Sequence, residues 1–342
     1  MSASAAPTTF FREIDRNRRN SWLLVAVVIV VLGVLGGAIG YATGFGWGGV
    51  IVAVAIATLM SIGSFFAGDS LVLASSGAKE VPVGNPPDQY KQLVNVVTEM
   101  SLASGIPMPR VYVIADTAPN AFATGRDPKH ASLAATTGLL DKMDREELQG
   151  VIGHEMSHVR NFDIRFTLLV GVLVGSIALL SDWFLRYTFW FGGGRRRGGS
   201  SREGGGGGGL QVVLFVVAIV LAIVAPLIGR MIQLAVSRSR EELADVSSVD
   251  LTRNPVGLAR ALRKISDDPE VLEVANRATQ HLYIVNPIKS FEERSKSMWD
   301  THPPIAERIR ILERIAGQMG VSFPSGLDAP AALGTGGMPS PQ

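Results

Sequence analysis

Two histidines four residues apart with a glutamate between them, in His154-Glu155-Met156-Ser157-His158, are the side chains of this sequence best suited to chemistry. Residues four apart share one face of an α-helix, so His154 and His158 can grip a single metal ion. Glu155 follows the first histidine and, on such a helix, reaches a water bound at an open metal position. Zinc is the natural ion, because imidazole suits it and a catalytic zinc keeps three protein ligands plus water. The chain has only 5 His, and two of them fall at this spacing around a carboxylate, which sets the pattern apart from a chance pair on a surface helix. The chemistry implied is metal-assisted hydrolysis.

The pair needs a helix and a third ligand. Asp144 followed by Glu147 reads as a capping box, and Leu148, Val151 and Ile152 supply an apolar stripe, so the spacing predicts a helix from about Asp144 to Arg160. For the third ligand, Glu241 fits best, with His281 and His302 as rivals. Asp245 lies one helical turn beyond Glu241, where a carboxylate accepts the other ring proton of a metal-bound histidine. His302, just before Pro303-Pro304, is also a candidate to stabilise the negative oxygen of a tetrahedral intermediate.

Around these residues the chain alternates between soluble and apolar blocks. It has 342 residues, 47% of them hydrophobic and 18% charged, and its mean hydropathy of +0.26 is too high for an ordinary soluble enzyme. There is no Cys, which excludes disulfides, thiolate ligands and a cysteine nucleophile. The formal net charge is +2, and the basic residues cluster beside apolar runs, which points to membrane topology and away from nucleic acid.

A polar segment, 1–20, carries Arg12, Arg16, Arg18 and Arg19 and places the N-terminus in the cytoplasm. Residues 21–68 form a hydrophobic hairpin of two spans, Trp22 to Tyr41 and Trp47 to Ala67, each about the length a bilayer needs. The first soluble block, 69–164, holds a predicted helix over 88–104, with Tyr90, Leu93, Val94, Val97 and Met100 at helical spacing. Strands are expected at Arg110–Ile114, Asn120–Gly125 and Ala131–Thr136. Of these, Asn120, Ala121, Phe122, Ala123 and Thr124 form a short segment before the metal helix that can pair, backbone to backbone, with an extended peptide.

A second hydrophobic hairpin, 165–236, contains the apolar runs Phe166 to Leu180 and Leu210 to Ile228, joined through a Gly/Arg-rich loop over 192–209. Two crossings are favoured over a shallow re-entrant hairpin. Residues 237–317 return to the side of His154 as a second soluble block, with helices expected from Ser237 to Asp250, from Pro255, and from Ile305 to Ala316. A Gly-, Pro- and Ala-rich tail, 318–342, is expected to be disordered.

The chain resembles the HtpX-type membrane zinc metalloproteases, relatives of the CaaX-processing membrane proteases. Beyond the two histidines and Glu155, the similarity includes Pro119-Asn120-Ala121-Phe122-Ala123-Thr124-Gly125, Glu241-x-x-x-Asp245, Ile284-Val285-Asn286-Pro287 and Thr301-His302-Pro303-Pro304, in the family's order. The resemblance implies an α+β membrane protein: a mainly helical, zincin-like (gluzincin) protease domain with a small sheet, plus about four transmembrane helices. It implies one Zn2+ per chain held by His154, His158 and Glu241, with Glu155 catalytic. It also implies a bacterial cytoplasmic-membrane enzyme with its active site facing the cytoplasm, acting on damaged or misfolded membrane proteins. The partners expected are polypeptides and the lipid bilayer, with no nucleic acid. Two other readings are site-specific processing of the CaaX type and a non-catalytic, zinc-binding membrane scaffold. The scaffold is disfavoured because structural zinc is normally closed by four protein ligands. The Gly/Arg-rich loop is longer and more basic than the resemblance leads one to expect.

Overall fold

Short runs rich in β-branched and small apolar residues pair into the sheet of the computed structural model. It describes residues 46–169, 240–270 and 303–325, with isolated positions between 19 and 37 and at 186, 219 and 327. The chain is mainly helical with this one small sheet among the described residues. Its strands are β1 (Lys79–Glu80), β2 (Arg110–Ile114), β3 (Ala121–Gly125) and β4 (Ala131–Thr136), in the order β1-β2-β4-β3. β2 and β4 are parallel, whereas β1 and β3 run antiparallel to their neighbours. The last three strands lie where the sequence predicts them. β1 has only two residues, too few to show an alternation.

Alternation puts different side chains on the two faces of the sheet. Val111, Val113, Leu133 and Ala135 join the main core with α2 (Lys91–Ser104) and α4 (Arg145–Arg160). Tyr112, Ile114, Phe122 and Ala134 face the other way, onto Leu73 near the end of α1 (Trp47–Ser75). α1 contains the second predicted span. It runs on past Ala67, where the apolar run ends, and Asp69 is held there by Arg110 at 2.8 Å. Trp22 stacks on Phe65 with ring centroids 6.4 Å apart, while Gly33 and Gly37 lie against Val54 and Val50. Contact positions that rise on one segment as they fall on the other make the two segments antiparallel. The missing side chains at Gly33 and Gly37 let the two backbones approach. Trp47, Ile51, Val52, Leu59 and Phe66 are exposed on α1. Among the described residues, no helix is long and apolar enough to cross a membrane. Most of the second hairpin, including loop 192–209, lies outside the described residues.

The remaining helices are α3 (Thr137–Lys142), α5 (described over 163–169), α6 (described over 240–252), α7 (Pro255–Asp267) and α8 (Ile305–Met319). α4 begins at the predicted capping box: the Asp144 carboxylate accepts from the Glu147 N–H while the Glu147 side chain accepts from the Asp144 N–H. Lys264 of α7 reaches the same Glu147 carboxylate at 2.6 Å, so one buried side chain caps α4 and ties it to α7. Two glycines bring the helices close. A Cβ at Gly150 would meet the Leu258 backbone of α7, and one at Gly153 would meet Ser248 of α6. The Ser248 hydroxyl donates to the Gly150 carbonyl at 2.8 Å across this contact. α8 runs to Met319, past the Ala316 expected from the sequence, and ends at Gly320 with φ of 69°. Phe323 and Leu327 then pack against the main core, so packing continues beyond residue 317.

Candidate metal centre

α4 carries His154 and His158 on one face, one turn apart, with their rings edge to face at 88°. Their Nε2 atoms lie 3.2 Å apart. Because Gly153 lets α6 settle against α4, Glu241 reaches the pair. Its Oε2 lies 3.5 Å from His154 Nε2 and its Oε1 3.5 Å from His158 Nε2. His154, His158 and Glu241 can thus present donor atoms to one ion. The rival His281 lies outside the described residues, as does His302.

Each imidazole is held from behind by its own carboxylate. Asp245 Oδ1 lies 2.9 Å from His154 Nδ1, in the position expected one turn beyond Glu241. Asp163 Oδ2 lies 3.1 Å from His158 Nδ1, and the sequence reading did not find it. With Nδ1 of each ring committed to a carboxylate, the Nε2 lone pairs of both point at the shared centre.

Two buried arginines complete the arrangement, and neither was assigned to the centre from the sequence. Arg308 of α8 grips Asp245 with a two-pronged contact, Nε to Oδ2 at 2.8 Å and Nη2 to Oδ1 at 2.7 Å. It also lies 3.7 Å from Glu241. A signal for it existed, since Arg308 shares the helical face of Leu312. Arg240 lies 3.5 Å from Asp163. Asp163 was hidden by a turn. Phe162 takes a φ of 61°, a conformation unusual for a bulky residue, and folds the chain back onto His158.

Charge in this buried cluster is finely opposed. Burial alone would pull the His154 imidazole down, but the Asp245 and Glu241 carboxylates outweigh it and raise its pKa to about 9. His158 is raised in the same way, burial opposing and Asp163 and Glu241 prevailing. Burial also lifts the Glu155 carboxyl above its usual range, with His154 and His158 pulling the other way. For Asp245 burial works to raise the pKa, yet Arg308 and His154 bring it below normal.

A zinc ion suits these residues. Tetrahedral bonds of about 2.0–2.1 Å place ligand atoms about 3.3 Å apart. The separations of 3.2, 3.5 and 3.5 Å among the two Nε2 atoms and Glu241 bracket that value. Two nitrogens and one carboxylate, with both outer ring positions taken by carboxylates, are donors of the kind that a three-ligand zinc site uses.

β3 sits beside this centre as an edge strand among the described residues, and Ala121 to Gly125 are buried. Asn120 exchanges bonds with Thr136 of β4, its N–H donating to the Thr136 hydroxyl and its carbonyl accepting from the Thr136 N–H. By alternation, Ala121 and Ala123 turn their backbone groups to the open edge. Both N–H groups there are committed: Ala121 donates to the Asn120 side chain and Ala123 to the Glu155 carboxylate. Phe122 points its ring away, under α1.

Comparison with known proteins shows the family. Residues 87–316 match peptidase family M48. The chain is 44% identical over 306 residues to a protease HtpX homolog of Streptococcus thermophilus, covering 89% of this chain and 99% of the relative. It is 45% identical over 310 residues to one of Streptococcus mutans, with the same shares covered. Among solved structures it is similar to S. mikatae Ste24p, with a TM-score of 0.45 and 17% identity over 76% of this chain and 57% of that one. The chain therefore belongs to peptidase family M48 and is a protease of the HtpX type.

Proposed function

We propose that this protease is a zinc-dependent endopeptidase of the bacterial cytoplasmic membrane, with its active site on the cytoplasmic side, that hydrolyses damaged or misfolded membrane proteins. One observation carries the chemical part: His154, His158 and Glu241 converge in a buried cluster with Glu155 beside them. The membrane part is supported by the exposed apolar flank of α1 and its antiparallel partner.

In this reading His154, His158 and Glu241 hold the ion. A zinc ion held there would supply Lewis-acid chemistry, polarising the scissile carbonyl and making water a better nucleophile near neutral pH. Glu155 takes the proton of the attacking water and delivers it to the leaving amine. Arg308 stays cationic, and with Asp245 it fixes the ring of His154. The carbonyls of Ala121 and Ala123, on the open edge of β3, are the groups available to pair with an extended substrate. His302 remains the candidate second stabiliser of the oxyanion.

The test is cleavage of a model membrane protein by detergent-purified chain, with and without zinc, with metal content measured alongside. His154→Ala, His158→Ala and Glu241→Ala are each expected to lose the metal and the activity together. A Glu241→Ala protein that binds zinc as tightly as the parent would sink the ligand assignment. No cleavage by zinc-loaded parent would sink the endopeptidase reading.

The edge strand makes a separate prediction. Ala123→Pro removes the N–H that holds Glu155, and the loss of a charge-assisted hydrogen bond of about 1.5–3 kcal/mol is expected to lower kcat about 10- to 100-fold with zinc retained. Ala121→Pro is expected to act mainly on KM, because Ala121 is turned to the open edge but does not hold the base. Kinetics equal to the parent in both variants would make β3 ordinary core.

A further inference from the structure

We propose that Asp163 and Arg240 form a clasp between the two ends of the second hydrophobic hairpin, and that through it the hairpin sets the orientation of His158. Asp163 is then a positioning residue. The inference rests on reading His158 as a metal ligand, and goes beyond it in saying what that ligand is anchored to.

The two histidines are anchored differently. His154 leans on Asp245 of α6, which Arg308 of α8 holds with two short contacts. His158 leans on Asp163, at the start of α5, where the chain enters the apolar run. Arg240, beside Asp163 at 3.5 Å, stands where the chain leaves the hairpin, immediately before Glu241. The Arg240 guanidinium also lies 3.8 Å from the ring centroid of Phe166, the first residue of that run. Asp163 and Arg240 side chains are only 3% and 9% exposed, so the ion pair sits largely away from water. Entry and exit are thereby held together, and a shift of either is transmitted to the Nδ1 side of His158. A tilt of that ring misdirects its Nε2 and weakens the metal site without any change in the ligands.

The experiment uses the full chain in detergent micelles. Zinc affinity is measured by competition with a chromogenic chelator, and ligand geometry by the visible absorption of the cobalt-substituted protein. Asp163→Asn, close in shape but uncharged, is expected to lower zinc affinity about 10- to 100-fold and to alter the cobalt spectrum. Arg240→Leu should act in the same direction, with part of the loss restored in Arg240→Lys. The double variant Asp163→Asn/Arg240→Leu should be no weaker than Asp163→Asn alone. Phe166→Leu touches no ligand, yet is expected to weaken zinc about 2- to 5-fold by releasing Arg240. Parent-like affinity and spectrum in Asp163→Asn would overturn the positioning role. Additive losses in the double variant would overturn the clasp, and parent-like affinity in Phe166→Leu its link to the hairpin. A parent chain that takes up no zinc would remove the metal reading itself, an outcome distinct from the other three.

Discussion

Glu155→Gln is expected to keep its metal and to lose hydrolysis by about 10²- to 10⁴-fold, the range that a positioned general base contributes. The substitution keeps the size and buried position of the side chain, so the packing of α4 need not change. It also leaves His154, His158 and Glu241 in place as donors. What disappears is the carboxylate, which sits buried beside the two histidines and accepts the Ala123 N–H. Glutamine can still accept that bond but cannot take a proton from water. Metal content and cleavage of a membrane protein substrate are to be read on the same preparation. A variant with full activity would end the base assignment. Loss of metal as well as activity would show instead that Glu155 supports the ligand cluster.

Arg308→Met is expected to cost about 3–5 kcal/mol of stability, the penalty for breaking a buried ion pair from one side. Arg308 is fully buried, and its guanidinium is matched to Asp245 by contacts of 2.8 and 2.7 Å. Without it Asp245 keeps, among the described residues, the His154 ring as partner, and a buried carboxylate in that position draws a proton onto the imidazole. That proton competes with the metal, so zinc affinity should fall together with the thermal midpoint. Arg308→Lys keeps the charge but not the planar fork, so it should lie between the variant and the parent. Thermal unfolding with and without zinc measures both effects. An unchanged midpoint would mean that the Asp245–Arg308 pair is no more than neutral to the fold.

Much of the local structure was legible from residue spacing. The capping box at Asp144 and Glu147, the helical stripe over 88–104, and the three longer strands depend on neighbours a few residues apart, and so they show in a linear pattern. Asp245 was placed behind a histidine for the same reason, since it follows Glu241 by one helical turn. Phe162 shows where such reasoning stops. Nothing in a helical periodicity announces that a phenylalanine will adopt a left-handed backbone, yet that turn is what returns Asp163 to His158.

By itself, then, the sequence determined the chemistry on offer: two histidines and a glutamate on one helix, two carboxylates one turn apart far along the chain, and apolar blocks between them. Only the tertiary structure decided which charges became part of the centre. Arg308 is one of three arginines on α8, and it was the packing of that helix, 63 residues along the chain from Asp245, that buried this one against the carboxylate. The physical reason is that a charge acquires its role from the groups that replace its water. Those groups, Asp245 and Glu241 for Arg308 and Asp163 for Arg240, arrive from other elements of the fold.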